Sequence, residues 1–333
     1  MTNDSLSTST SPAPADPTPG PLEYEDRVLG CLLGGSAGDA YGMLHAAGRD
    51  PVEALRDPSL LAVSSATSLT LYTVDGLVEA LEWANDGVAA DETACLWLAY
   101  LRWLRRQGEH LPPHAPAPPD RWLDRQTGLL TEQQPDRDTL QALLSGEMGT
   151  RSRPLDSRSA GPGALIRSAP FGLVPRIPAS MAERLTLDAA ALTHGAQEAT
   201  APAATYSAII RALAIDGQDL TGALGSAAET GPPAAGATAE PTAAGTLYAA
   251  VQGVLAGTAT STSSREQFVR ALAHTVKADA PGASPIAASS LAGGIMGALH
   301  GTSALPGAYL SSSGTPEIVR AVAQTLFRQT SGA

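Results

Sequence analysis

Gly34-Gly35-Ser36-Ala37-Gly38 matches the G-x-S-x-G pattern that presents a nucleophilic serine on a strand-to-helix turn. The preceding DRVLGCLL instead places Val28, Leu29, Leu32 and Leu33 on one side of a helix, which favours small residues packing closely over a nucleophile. His194, His274 and His300 are the histidines that such a serine would draw on. Cys31 and Cys95 lie in apolar helical stretches, where a thiol stays inert. They are too few and too far apart for a zinc knuckle or a disulfide framework. The single lysine, Lys277, follows Val276 rather than glycine, so no P-loop is present, and it is a weak Schiff-base candidate. Ser159-Ala160-Gly161-Pro162-Gly163 enters an apolar run ending at Arg167. A Gly-x-Gly loop of this kind either offers backbone N–H groups to a phosphate or makes an ordinary turn. Trp83, Trp97, Trp103 and Trp122 read as core and helix-edge packing.

The elements that must position these residues are helices. Val74, Leu77, Val78 and Leu81 form one face, with Asp75, Glu79 and Glu82 off it. Ala94, Trp97, Leu98, Leu101 and Leu104 form another, and Arg102, Arg105 and Arg106 stand in its last turn, where cations suit the dipole. Residues 204–215, 246–256, 265–277 and 287–300 also read as helices. Thr315, Pro316 and Glu317 open the last one. Alternating strand patterns are nearly absent, so the expected fold class is all-α. Residues 1–22 are Ser, Thr, Pro and Ala with almost no bulky apolar side chain, which predicts a disordered tail. Residues 23–330 are expected to form one domain, with a Pro-rich loop at 108–120 and a long surface loop at 221–244.

The 333 residues carry 21 Lys+Arg against 33 Asp+Glu, a net charge of −12. That balance argues against a nucleic-acid groove and against an anionic membrane surface. No apolar run reaches about 18 residues, and the first residues lack the basic start and apolar run of a signal peptide. The expectation is a soluble cytoplasmic protein.

Taken in order, the segments resemble the ADP-ribosylglycohydrolase family, the group of dinitrogenase-reductase-activating glycohydrolases and J1 crystallins. Asp26 to Gly42 (DRVLGCLLGGSAGDAYG) is similar to its D-R-x-x-G-x-L-x-G-x-A-x-G-D-A-x-G opening. Ser64 to Leu77 resembles its S-D-D-T-x-M-T-L helix, and Ser159 to Pro170 its Gly-rich ligand loop followed by M-R-x-A-P. Thr193-His194-Gly195, Gly245 to Gly253 and Ser284 to Gly301 resemble three further segments, and the likeness runs over about 24–328.

The resemblance implies a compact orthogonal bundle of helices and a site in which carboxylates hold two Mg²⁺ ions and activate water. Followed position by position, those carboxylates fall at Ala46, Ser65, Ala66, Ser284 and Ile286, and none is acidic. Pro162 stands where the loop usually has Asn. Asp39, Thr67, Gly161, Gly163, Arg167 and His194 are retained, which implies a remnant ligand-binding set. Mg²⁺ is a hard cation that requires oxygen ligands of this charge. The expectation is therefore a pseudoenzyme with no catalytic residue, no metal and no cofactor. Its role would be binding or structural, as in J1 crystallins, with a weak ADP-ribose or nucleotide-like ligand or a protein partner in the old cleft. The alternative is an active glycohydrolase with a rearranged site, for which Asp39, Asp75 and Asp156 are the local carboxylates. Asp75 stands two turns beyond Thr67, about 12 Å along a helix, too far to replace the pair at 65 and 66.

Overall fold

The computed structural model describes residues 23–57, 63–129, 135–229, 231–233 and 240–331. The expected tail at 1–22, and residues 230 and 234–239 of the expected loop at 221–244, lie outside them. In chain order the helices are α1 (Tyr24–Ala46), α2 (Glu53–Arg56), α3 (Ser65–Asn85), α4 (Glu92–Arg106), α5 (Arg137–Leu143), α6 (Gly163–Ile166), α7 (Ala169–Gly172) and α8 (Ala179–Ala191). They continue with α9 (Gln197–Ala214), α10 (Leu220–Leu224), α11 (Ser226–Glu229), α12 (Ala243–Thr258), α13 (Ser264–Thr275), α14 (Pro285–His300), α15 (Gly307–Ser311) and α16 (Thr315–Ser331). Among the described residues β structure is confined to isolated bridge positions, Val63 and the pair Thr150 and Arg153, with no strand, so the all-α expectation holds. Side-chain caps start the helices at Ser64, Asp91, Asp136, Asp219, Thr242 and Ser284, each accepting a first-turn N–H.

α1 and α14 lie backbone against backbone. Gly30, Gly34, Gly38 and Gly42 recur every fourth residue and so form one stripe of α1. The facing residues, in reverse order, are Gly297, Gly293, Ser289 and Ile286. A Cβ on Gly30, Gly34 or Gly38 would run into the carbonyl oxygen of Gly297, Gly293 or Ser289, and one on Gly42 would lie 2.7 Å from Ile286 Cα. This approach leaves no room for side chains and brings many backbone atoms into dispersion contact. The G-x-S-x-G residues are part of this seam, in the middle of a helix. Ser36 Oγ is buried and accepts a hydrogen bond from Tyr309 Oη at 3.0 Å.

The Asp-Arg pair at the start of α1 fixes the other end of the seam. Asp26 Oδ1 accepts from Thr302 N at 3.2 Å and Thr302 Oγ1 at 2.6 Å, and Arg27 donates to Leu213 O at 2.8 Å and Ala298 O at 3.0 Å. Gly301 ends α14 with φ +63°, against the Asp26 carboxylate. One contiguous set of buried residues then joins these helices to α3, α4, α8, α9, α12, α13 and α16.

Three expectations need correction. The loop expected at 221–244 contains α10 and α11, because Asp219 caps the first and Leu224 is buried against the core. Arg102, expected in the last turn of α4 with Arg105 and Arg106, stands one turn before it. It is 1% exposed and pairs with Asp75, with Asp124 at 3.2 Å and Glu79 at 3.6 Å. Arg121 joins from the other side, 3.1 Å from Asp75 and 3.0 Å from Glu82. A helical pattern treats those carboxylates as a solvent face; a buried ion network is invisible to it. Of the tryptophans, Trp103 is buried and donates to Ser68 Oγ at 3.0 Å, but Trp83 and Trp122 are each 49% exposed.

Replacing Gly297 by alanine should lower stability by about 3 kcal/mol or more, because the new methyl meets the Gly30 backbone, which cannot yield as a side chain can. Gly307→Ala, where no atom lies within 4 Å of the added methyl, should stay within about 0.5 kcal/mol of the native protein. Urea midpoints of the two variants decide it, and equal midpoints would contradict the seam.

Candidate functional site

Asp39 stands on α1 between Gly38 and Gly42, so the seam carries its carboxylate to the start of α3. It accepts from Ser64 N at 3.3 Å, from Ser64 Oγ and from Thr67 Oγ1 at 2.5 Å. A carboxylate at a helix N-terminus complements the unpaired amides and the dipole there. Burial raises the Asp39 pKa above the ordinary carboxyl range, against the lowering effect of the hydrogen bonds from Ser64 and Thr67.

The other oxygens at this helix start also have partners. Ser64 Oγ accepts from Ala66 N at 3.1 Å, and Ser65 Oγ accepts from Asp136 N at 2.5 Å. At the start of α14, Ser284 Oγ accepts from Ala287 N at 3.3 Å and Ser284 N donates to Thr246 Oγ1 at 3.2 Å. Ile286 packs on Gly42, and Ala46 is exposed at the end of α1. A cavity of about 20 Å³, room for one water, lies among Ser36, Thr67, Tyr206 and Ser290.

Asp136 links this region to the Gly-Pro-Gly loop. Its Oδ2 accepts from Thr139 N at 3.0 Å, capping α5. Gly163 must be glycine, since its Cβ would meet Asp136 Oδ2 and would lie 2.6 Å from His194 Cε1. Gly161 is similar: its Cβ would lie 2.7 Å from Asp138 Oδ2, which accepts from Ser159 Oγ. Asp156 adopts a left-handed φ of 41° and accepts from Ser159 N at 3.2 Å, while its carbonyl accepts from Gly195 N at 3.0 Å. Carboxylates at 136, 138 and 156 thus surround the loop and His194.

Arg167 is buried behind the loop, and all five of its N–H groups have acceptors. Nε donates to Tyr100 Oη at 3.1 Å, Nη1 to Thr139 Oγ1 at 3.1 Å and Gly163 O at 2.9 Å, and Nη2 to Thr193 Oγ1 at 2.5 Å and Ala189 O at 3.4 Å. Its guanidinium also lies 4.6 Å above the centre of the Tyr100 ring. A guanidinium so saturated supports the loop; it has no N–H left for a diphosphate.

The family model described as ADP-ribosylglycohydrolase matches residues 20–333. The chain belongs to the ADP-ribosylglycohydrolase family. A solved structure titled "ADP-ribosylglycohydrolase-related protein complex" has a similar fold, with a TM-score of 0.55 and 23% identity over 92% of this chain and 99% of that one. No curated protein matches the chain.

Of the residues that the family resemblance singles out, the fold joins Asp39, Ser65, Ala66 and Thr67 at one helix start, with Ser284 and Ile286 on α14 across the seam. It joins Gly161, Gly163, Arg167 and His194 around the loop, and Ser65–Asp136–Gly163 connects the two groups. Asp136 and Asp138 were not singled out by any family motif. The signal for Asp136 was its place as a cap before a helical run, which says nothing of Gly163. Cys31 and Cys95 are both buried, and burial raises their thiol pKa values to about 12 and about 11, as inert thiols require.

His194 is fully buried; its pKa is lowered chiefly by burial and also by Arg167, against the opposite pull of Asp136, Asp138 and Asp156. Burial lowers His300 as well, helped by Arg27. A histidine whose folded pKa lies below its unfolded value stabilises fully above about pH 6.5, and that stability is lost as pH falls. Going from pH 7.5 to 5.5 should therefore cost the native protein about 1 kcal/mol more than it costs His194→Gln. Urea midpoints of both proteins at the two pH values check this; identical losses would show that His194 is not held neutral.

Proposed function

We propose that this member of the ADP-ribosylglycohydrolase family is a pseudoenzyme. It does not run metal-assisted hydrolysis, and it keeps the old cleft for binding an ADP-ribose-like ligand or a protein partner. The observation that carries this reading is the use made of the two helix starts. Ser64 and Ser284 are ordinary N-caps, Ser65 holds the backbone of Asp136, Ile286 packs on Gly42, and Asp39 has both oxygens engaged by Ser64 and Thr67. Two Mg²⁺ ions bring four positive charges that neutral hydroxyls do not balance. Among the described residues no group of three or more His, Cys, Asp and Glu side chains is arranged to hold a metal ion. The residues present do not fit the ions. A domain over 23–330 in the cytoplasm completes the reading. No described helix is long and apolar enough to cross a membrane.

A second reading, an active glycohydrolase with a rearranged site, draws on Asp136, Asp138 and Asp156 around His194. Each already holds a helix cap, a hydroxyl or a turn, which favours the first reading.

The purified full chain, with and without Mg²⁺, is expected to release no ADP-ribose from a modified arginine or serine peptide. Release above the no-protein control would establish the second reading. Calorimetry should detect no Mg²⁺ binding tighter than about 1 mM, and ADP-ribose should bind at roughly 0.1–1 mM, about −4 to −5.5 kcal/mol. Tighter Mg²⁺ binding would overturn the pseudoenzyme, and no response to millimolar ADP-ribose would leave the protein-partner role alone.

A further inference from the structure

We propose that Arg167 and Thr193 are positioning residues that present His194 as its Nε2–H tautomer, a preset donor for a ribose hydroxyl oxygen beside Asp136. The inference deepens the ADP-ribose reading and rests on it.

Arginine only donates. Its Nη2 donates to Thr193 Oγ1 at 2.5 Å, and the other polar partner of that oxygen is His194 Nδ1 at 2.8 Å. Thr193 is buried, so its hydroxyl hydrogen needs an acceptor, and among the described residues Nδ1 is the one on offer. Nδ1 is then the unprotonated nitrogen, and the ring hydrogen is on Nε2. The same logic orders the other arm of Arg167. Nε donates to Tyr100 Oη, which lies 2.9 Å from Thr73 Oγ1, whose own hydrogen goes to Leu69 O at 2.8 Å. Burial keeps the His194 ring neutral.

Nε2 is buried with no hydrogen-bond partner among the described residues. An unsatisfied buried donor is costly, and it is the feature a ligand oxygen would relieve. The adjacent Cε1 and Asp136 Oδ2 both crowd the one position that a Gly163 Cβ would take, so the carboxylate stands beside the ring. Asp136, Asp138 and Asp156 repel a phosphate placed here, and Arg167 has no N–H left to offset that. A sugar hydroxyl meets neither obstacle: its oxygen accepts from Nε2–H while its hydrogen goes to a carboxylate. The chemistry at His194 therefore suits the ribose of ADP-ribose and not its diphosphate.

The test is long-range ¹H–¹⁵N NMR of the histidine-labelled full chain. Native protein should show His194 protonated on Nε2, and ADP-ribose should shift that resonance. Thr193→Val should move the ring toward Nδ1–H and weaken ADP-ribose about five- to tenfold, and Thr193→Ser should restore both. An Nδ1–H ring in the native protein overturns the proposal. So does an unmoved His194 while backbone amides elsewhere report ADP-ribose binding, a result that leaves the ADP-ribose reading intact. Amides that do not respond to ADP-ribose at all overturn both.

Discussion

The close contact of α1 with α14 is the constraint on which the rest depends. Gly30, Gly34, Gly38 and Gly42 remove every side chain from one stripe, and Gly297 and Gly293 do the same opposite. With backbones touching, the register of the two helices is fixed to within a fraction of a residue, because any slide would drive a Cβ into a carbonyl. Asp39 and Gly42 sit on the α1 side of that contact, so its register decides which groups meet at the starts of α3 and α14. Asp26 and Arg27 lock the far end on Thr302, Ala298 and Leu213.

That frame can hold chemistry of opposite kinds. In the ADP-ribosylglycohydrolase family the resemblance implies carboxylates at the helix starts, balanced by cations. Here the same positions are hydroxyl, methyl or sec-butyl groups, and the helix starts are satisfied from within. Ser64 and Ser284 cap the amides, and the buried Asp39 carboxyl accepts from Ser64 and Thr67. The network is closed by Asp136, whose backbone binds Ser65 and whose carboxylate crowds Gly163 and His194. Burying these polar groups without a metal is tolerable because most of them have partners; His194 Nε2 and Ser289 Oγ are exceptions.

Much of this was legible in the sequence. The helical periodicity, the cap at Thr315 and the absence of alternating strands led to an all-α chain, and α3, α12 and α14 lie close to where the pattern put them. The G-x-S-x-G stretch was readable as packing, since the residues before it keep a helical face. Pairings distant in sequence were not readable. Arg167 looked available for an anion because nothing local marks Tyr100, Thr139 and Thr193 as its acceptors. Arg102 looked like a dipole partner because Asp75 and Asp124 come from other elements. Asp136 carried only a cap signal, and its contact with Gly163 arises from the fold of the whole chain. Local physics sets elements, whereas buried polar networks depend on which elements meet.

The central claim is that the helix starts at Ser64 and Ser284 no longer bind divalent cations. Electron paramagnetic resonance of Mn²⁺, a spin-active stand-in for Mg²⁺ with the same preference for oxygen ligands, tests it most directly. With protein in excess over the ion, the account predicts that the free-ion signal keeps its full amplitude. Loss of the signal with a stoichiometry of two ions per chain would contradict it.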